Sequence, residues 1–228
     1  TLFYSIVFLC CALVSQDASA SIFGWTQKAN FGTNGRHRGI GLAIGNKGYM
    51  GLGHYNGAGP NIVLSDWWEF DPATNSWTQR ADYVGNNGNG NYACMAFGMD
   101  EFGYIGGGQV GSDDNLYRFD PITNSWSDMG SMPVNYANRE GFVVNNKGYA
   151  AIGTSLNEYD PSTNLWTPKN QLPFSVWTWN STFVIDGKGY VKSNSSLWEY
   201  KPLSDQWVSR ASFPGLASAG GASFSQSN

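Results

Sequence analysis

Charge is scarce in this chain. Asp, Glu, Lys and Arg make up 13% of its 228 residues, and acids outnumber bases by 17 to 13, leaving a net charge of −4. A surface so poor in cations cannot neutralise a run of phosphates, which argues against nucleic acid as a partner. Cysteine is rarer still, with only Cys10, Cys11 and Cys94. The first two fall inside an apolar leader, so Cys94 stands alone, and one thiol builds neither an internal disulfide nor a cysteine metal site. Only two histidines are present, His37 and His54. No Ser-His-Asp or Cys-His set emerges, so no catalytic residues, metal or cofactor are expected. Long stretches of Ala, Leu, Glu and Lys are also missing, which turns the reading away from helices.

The leader is the segment 1–20. Leu2 to Val14 is an apolar run too short to span a bilayer, and it is followed by the small residues Ala18-Ser19-Ala20. That pattern reads as a secretory signal, with the mature chain starting near Ser21. With an initiator Met and leading positive residues both missing, the expectation is that the sequence begins inside the signal. A secreted or cell-envelope protein follows, without membrane insertion once the signal is removed. A buried first strand is the alternative. A lipoprotein signal is disfavoured because Leu9 stands where a small residue should precede the modified cysteine.

What the chain does have is glycine, aromatics and repetition. Phe70-Asp71-Pro72-Ala73-Thr74-Asn75-Ser76-Trp77 returns as 119–126, as 159–166 and, worn, as 200–207. Trp25 opens a Thr-Gln-Lys-Ala that matches the Thr-Gln-Arg-Ala after Trp77. Upstream of each copy lies a Gly-Tyr pair: Gly48-Tyr49, Gly103-Tyr104, Gly148-Tyr149 and Gly189-Tyr190. Each repeat of roughly 40 to 50 residues reads as four short strands, a to d. Asn-Lys-Gly forms the a–b turn and Asp-Pro-x-Thr-Asn the c–d turn. A unit of four strands cannot bury both faces alone, so neighbours must stack around an axis.

These residues carry a family resemblance. The glycine-rich end of strand b, as in Gly103-Tyr104-Ile105-Gly106-Gly107-Gly108, then an aromatic before Asp-Pro, then Trp, resembles the kelch repeat. Gly24 to Ala29 is similar to the same segment of secreted bacterial kelch proteins. The resemblance covers 24–228 and implies an all-β, kelch-type β-propeller. Four complete blades are expected at about 38–80, 92–129, 139–169 and 179–210. An orphan N-terminal strand d (Gly24 to Ala29) and a partial blade at 211–228 flank them. Closed kelch propellers have about six or seven blades, so the ring is expected to be incomplete. The glycine pair is absent after Tyr190, which predicts less regular packing in the fourth blade.

Strand parity separates two faces. The uniform a–b and c–d turns share one, and the variable b–c and d–a loops share the other, where specificity is expected. Arg38, Tyr92, Arg139 and Trp179 enter the innermost strands and are expected around the mouth of the central channel. Guanidinium and aromatic groups there suit a glycan or an acidic ligand, although such arginines equally hold neighbouring blades together through backbone carbonyls. Trp77, Trp126, Trp166 and Trp207 are expected between blades. Cys94 reads as a small buried residue. His37 and His54 with Asp66 or Glu69 make a sparse metal set, and Asp113-Asp114-Asn115 lacks the ligand series of a calcium loop and reads as a polar loop. Asn180-Ser181-Thr182 and Asn194-Ser195-Ser196 match the glycosylation sequon.

Three functions compete: a binding module for a protein or glycan, an enzyme, and a passive scaffold. Some kelch propellers are sialic-acid mutarotases, and by that resemblance Arg139 and Glu140 would supply charge recognition and proton transfer. Others are copper radical oxidases, whose Cys-linked Tyr and paired histidines do not appear here.

Overall fold

The computed structural model describes residues 25–215 apart from 34, 58, 112, 136, 138–140 and 177–179. The expected leader and the partial last blade therefore lie outside the described residues. Blade 1 runs β1 (Ile40–Ile44), β2 (Lys47–Gly51), a small hairpin of β3 (His54–Tyr55) and β4 (Ile62–Val63), then β5 (Trp67–Asp71) and β6 (Ser76–Arg80). Blade 2 is β7 (Met95–Met99), β8 (Phe102–Gly106), β9 (Asn115–Asp120) and β10 (Ser125–Ser131). Blade 3 is β11 (Gly141–Val144), β12 (Lys147–Ile152), β13 (Ser155–Asp160) and β14 (Leu165–Lys169). Blade 4 is β15 (Ser181–Ile185), β16 (Lys188–Ser193), β17 (Ser196–Lys201) and β18 (Gln206–Arg210). Each blade is an antiparallel sheet in a–b–c–d order. The innermost strands β1, β7, β11 and β15 abut in succession, and among the described residues β15 does not meet β1, so the blades form an open arc.

Turn chemistry explains the repeated motif. Asp71, Asp120 and Asp160 each accept the N–H two residues on, at 2.8, 2.8 and 2.9 Å. The following proline presets its φ for the turn. The turn then needs a left-handed residue, supplied by Asn75, Asn124, Asn164 and Asp205 at φ of 53, 52, 58 and 50°. Asn and Asp enter that region more readily than other side chains.

The same Asn also ties blades together. Asn124 Oδ1 accepts the Ala81 N–H at 2.8 Å, and Trp126 Nε1 donates to the Ala81 carbonyl at 2.9 Å. Ala81 directly follows strand d of the preceding blade, so two bonds clamp one residue across the interface. Asn75 and Trp77 hold Ala29 alike, at 2.9 and 3.1 Å. Asp205 and Trp207 hold Asn170, at 3.1 and 3.3 Å. Between blades 2 and 3 a register shift at Asp128/Ser131 moves the contact, and the Asn164 amide donates to the Met129 carbonyl at 3.0 Å. The repeated tryptophans are thus between blades, as expected, but half-buried at the rim rather than in the core. Residues 25–30, expected as an orphan strand, pair in no ladder among the described residues and meet blade 1 through this clamp.

Three apolar layers fill the space between blades, led by Trp67 and Phe119, then Tyr104 and Tyr159, then Tyr149 and Tyr200. Ring packing here explains the Gly-Tyr pair. A Cβ on Gly148 would lie 2.5 Å from the Phe97 ring, and one on Gly189 would lie 2.2 Å from the Phe142 ring. Blade 4 is regular despite losing the glycine pair: its register is unbroken and Val191 and Tyr200 are fully buried. Those glycines serve long b–c loops, at positive φ in Gly107 and Gly108. Blade 4 turns instead through Asn194-Ser195, with Asn194 at φ 52°.

Replacing Asn124 by Ala loses a clamp bond and puts in the left-handed region a side chain that enters it less readily than Asn. A destabilisation of about 1–3 kcal/mol is expected in urea unfolding, with Asn124→Asp close to neutral, as Asp205 shows. Acid unfolding tests the turn face. The Lys147 ammonium, then the Ser162 hydroxyl and N–H, hold Asp160 down to about 2. Its folded value lies below the unfolded one, so its contribution is complete above about pH 4 and is lost as pH falls through about 2. Asp160→Asn should flatten the acid limb in that window.

Candidate functional site

The b–c and d–a connections are unequal around the arc. Blades 3 and 4 turn from b to c through residues 153–154 and 194–195, whereas blade 1 uses 52–66 and blade 2 uses 107–114. The loop 81–94 lies between the two long ones. Asn91 locks them together: its backbone carbonyl accepts the Gly53 N–H at 2.9 Å and its N–H donates to the Leu64 carbonyl at 3.3 Å, while its side-chain amide donates to the carbonyls of Gly107 and Val110, both at 3.1 Å, and accepts the N–H groups of Tyr92 and Val110, at 2.8 and 3.0 Å. All four capacities of this buried side chain are used. Sequence reasoning passed over Asn91; its only signal is an Asn following Gly90 in a polar loop.

The side chains so held form a stack. The His37 and His54 backbones pair as an antiparallel bridge, with both N–H···O distances 3.0 Å. Their ring centroids are 3.7 Å apart, and the other face of the assembly brings Tyr92 to 4.1 Å from His54 at 19°. Arg38 lies with Cζ 5.6 Å from the Tyr92 centroid and donates from Nη1 to Gln109 Oε1 at 2.7 Å. His54 is 5% exposed, its Nδ1 lies 2.6 Å from Asn61 Oδ1, and its Nε2 is buried without a partner. His37 is exposed, and its pKa is lowered by loss of water on the ring and by the nearby His54 and Arg38, against a hydrogen bond to Asn56. His37 is therefore neutral at neutral pH.

Cross-strand register sets the level of each predicted site residue. Leu42, Phe97, Phe142 and Phe183 stand opposite the tyrosines of the Gly-Tyr pairs. Counting back, Arg38 is level with Ala93, and Tyr92 with His37. Arg38 and Ala93 share φ of 56°, and the Ala93 N–H donates to the Arg38 carbonyl at 2.8 Å. The structure brings Arg38 and Tyr92 together with the two histidines; Arg139, Glu140 and Trp179 lie outside the described residues. The channel itself, about 290 Å³, is lined by small or apolar residues such as Ala43, Ala96, Val143 and Val184.

Other candidates are bound up in structure. Asp66 takes Arg36 at 2.5 and 2.7 Å and the Trp68 indole N–H at 2.8 Å. Glu69 accepts Lys47 at 2.5 Å and the Tyr49 hydroxyl at 2.7 Å. Burial pushes Glu69 up, but Lys47, Tyr49 and Arg80 outweigh it and hold the group ionised. Neither carboxylate reaches the histidines, and no cluster of three metal-ligating side chains occurs among the described residues. Asp113 spends its oxygens on the N–H groups of Asn86 and Asn115 and the Tyr117 hydroxyl, so it closes a polar loop. Of the two sequons, Asn180 is buried and Asn194 is exposed. No helix among the described residues is long and apolar enough to cross a membrane. Cys94 is buried in the layer between blades 1 and 2, and burial pushes its thiol far up. Cys94 should therefore stay unmodified by a thiol reagent in the native protein and react once urea unfolds it; rapid native labelling would contradict this environment.

Comparison with known proteins agrees with this geometry. The Kelch motif matches residues 104–133. No curated protein matches the sequence. Among solved structures, one described as "Structure of YjhT" superposes with a TM-score of 0.67 over 81% of this chain and 68% of its own, at 18% identity. At that identity the likeness is one of fold. Four stacked blades of repeating sequence, one of them bearing the matched motif, make this chain a kelch-repeat β-propeller.

Proposed function

We propose that this protein is a secreted binding module that seats a glycan on the long loops of blades 1 and 2. The kelch propeller supports a general interaction role. One observation carries the finer reading: long connections gather over two blades and are locked by Asn91 around Arg38, Tyr92, His37 and His54. A rigid, polar, aromatic-floored mouth on a variable face suits recognition more than chemistry. Tyr92 is a floor rather than an open platform, since His54 covers one face. Tyr55, 38% exposed on the β3–β4 hairpin, is the ring on hand for a sugar face. The apolar leader of 1–20 supports secretion.

A glycan array on the full chain tests the reading. Arg38→Ala should weaken the bound glycan by on the order of ten-fold, the size of one lost charge-assisted hydrogen bond. Shortening 53–65 to a two-residue turn should abolish binding, while changes in the b–c turn of blade 4 leave it intact. Retention of binding by the shortened variant, or capture of proteins alone, would count against a glycan site here. The mutarotase-like alternative rests on Arg139 and Glu140; sialic-acid anomer exchange lost on Glu140→Gln would replace the binding reading with it.

A further inference from the structure

We infer that Asn89 is a site of spontaneous covalent modification, where the Gly90 nitrogen closes on the Asn89 side chain, and that this conversion loosens the lock on the long loops. The site is independent of what ligand the mouth takes. Asn before Gly is the pairing in which such closure is least hindered, because glycine has no side chain to shield its nitrogen. The loop 84–91 holds two of these pairs, Asn87-Gly88 and Asn89-Gly90, and both asparagines are exposed. The fold treats them differently. The Gly88 N–H donates to the carbonyls of Val84 and Gly85, at 3.0 and 3.1 Å, in the 3₁₀ turn Asn86–Gly88. Attack through that nitrogen must first break both bonds. In the Asn89–Gly90 peptide neither the N–H nor the carbonyl is hydrogen-bonded among the described residues. This peptide can turn about Asn89 ψ, now 3°, with a compensating turn in Gly90 φ, now 77°, while both Cα atoms keep their places. Only glycine passes freely between the φ regions involved. Packing also requires that glycine, since a Cβ on it would lie 2.3 Å from the Leu64 carbonyl oxygen.

The reaction needs only water and hydroxide. Hydroxide takes the Gly90 amide proton, the nitrogen bonds to Asn89 Cγ, and the side-chain nitrogen takes a proton from water and leaves as ammonia. The product is a cyclic imide, which water opens at either carbonyl. One opening leaves aspartate on an unaltered backbone. The other leaves isoaspartate, in which the main chain runs through Cγ and is one carbon longer. Both products carry a new negative charge. The longer one alters the approach to Asn91, whose backbone holds the Gly53 N–H at 2.9 Å and the Leu64 carbonyl at 3.3 Å. The Asn91 side chain holds Gly107 and Val110 from the other blade. Moving Asn91 therefore disturbs both loops together.

The test is a peptide map of the full chain after long incubation in mildly alkaline buffer, folded and in urea, scoring isoaspartate at positions 87 and 89. In urea the two sites should convert within about two-fold of each other, since local sequence alone then decides. In the folded chain Asn89 should exceed Asn87 by about five-fold or more, because its peptide turns without breaking a hydrogen bond. Chain converted at 89 should exchange the Gly53 and Asn91 amide hydrogens about ten-fold faster than fresh chain. Asn89→Gln, a change at an exposed position that keeps an amide, should show no such acceleration after the same incubation. An equal or larger yield at Asn87, no isoaspartate at 89, or the same ratio of the two sites folded and unfolded would each overturn the assignment. Unchanged exchange in the converted chain, or equal acceleration in incubated Asn89→Gln, would overturn the effect on the lock.

Discussion

An indole N–H reaching a backbone carbonyl on the neighbouring blade is the contact on which this arc depends. Stacked sheets slide easily when only apolar surface joins them, because area burial has no direction. In blades 1, 2 and 4 the Trp and the Asn or Asp of the c–d turn remove that freedom by holding the N–H and the carbonyl of one residue, Ala29, Ala81 and Asn170, and in blade 3 the Asn164 amide holds the Met129 carbonyl. The clamp sits at the outer rim, and ring packing between Phe97 and Gly148 or Phe142 and Gly189 sits near the axis. Two contacts far apart on one interface fix its angle. The constraint also explains why Thr-Asn-Ser-Trp recurs so faithfully while the loops beyond it vary.

Inside the layers a second, polar arrangement is copied and then broken once. Tyr49, Tyr149 and Tyr190 donate to Glu69, Glu158 and Glu199 at 2.7, 2.5 and 2.8 Å. A cation on strand d faces each acid: Arg80, Lys169 and Arg210. A buried carboxylate without its cation is costly, so the residues must change together. Blade 2 does this, with Arg118 opposite Tyr104, its guanidinium 4.5 Å from the Phe102 ring, and Met129 where the cation would stand. The blade that gives up the pair is the one whose strand d bulges at Asp128/Ser131.

The fold was legible because its signals are local. Asp-Pro turns, left-handed Asn and Gly-Tyr pairs each act within a few residues, and repetition multiplied them. The level of the site residues was less legible. Aligning by tryptophan crosses loops of unequal length, and it set Tyr92 beside Arg38 in rank; hydrogen-bond register instead makes Tyr92 the counterpart of His37. The missing glycines of blade 4 misled for a related reason. Gly107 and Gly108 serve a long b–c loop rather than blade packing, and the two-residue turn of blade 4 meets its left-handed position with Asn194 instead. The His54 sandwich was invisible because it depends on a hairpin folding back over the next blade's entry strand, a contact no periodicity encodes.

Position then decides what kind of recognition this scaffold supports. The channel is lined by glycines and apolar side chains, Phe97, Phe142 and Phe183 among them, with Thr182 as its polar side chain, so it offers a ligand contact area but few directed polar groups. Polar groups with direction lie above it, where Asn91 fixes two loops against each other and Arg38, His37 and Gln109 project from the result. Because these groups come from two blades, their spacing is only as firm as the interface that Ala81, Asn124 and Trp126 clamp. The rim contact therefore does more than hold the arc together. It removes the sliding that would spread the mouth, so a ligand meets side chains already in place and binding need not order them.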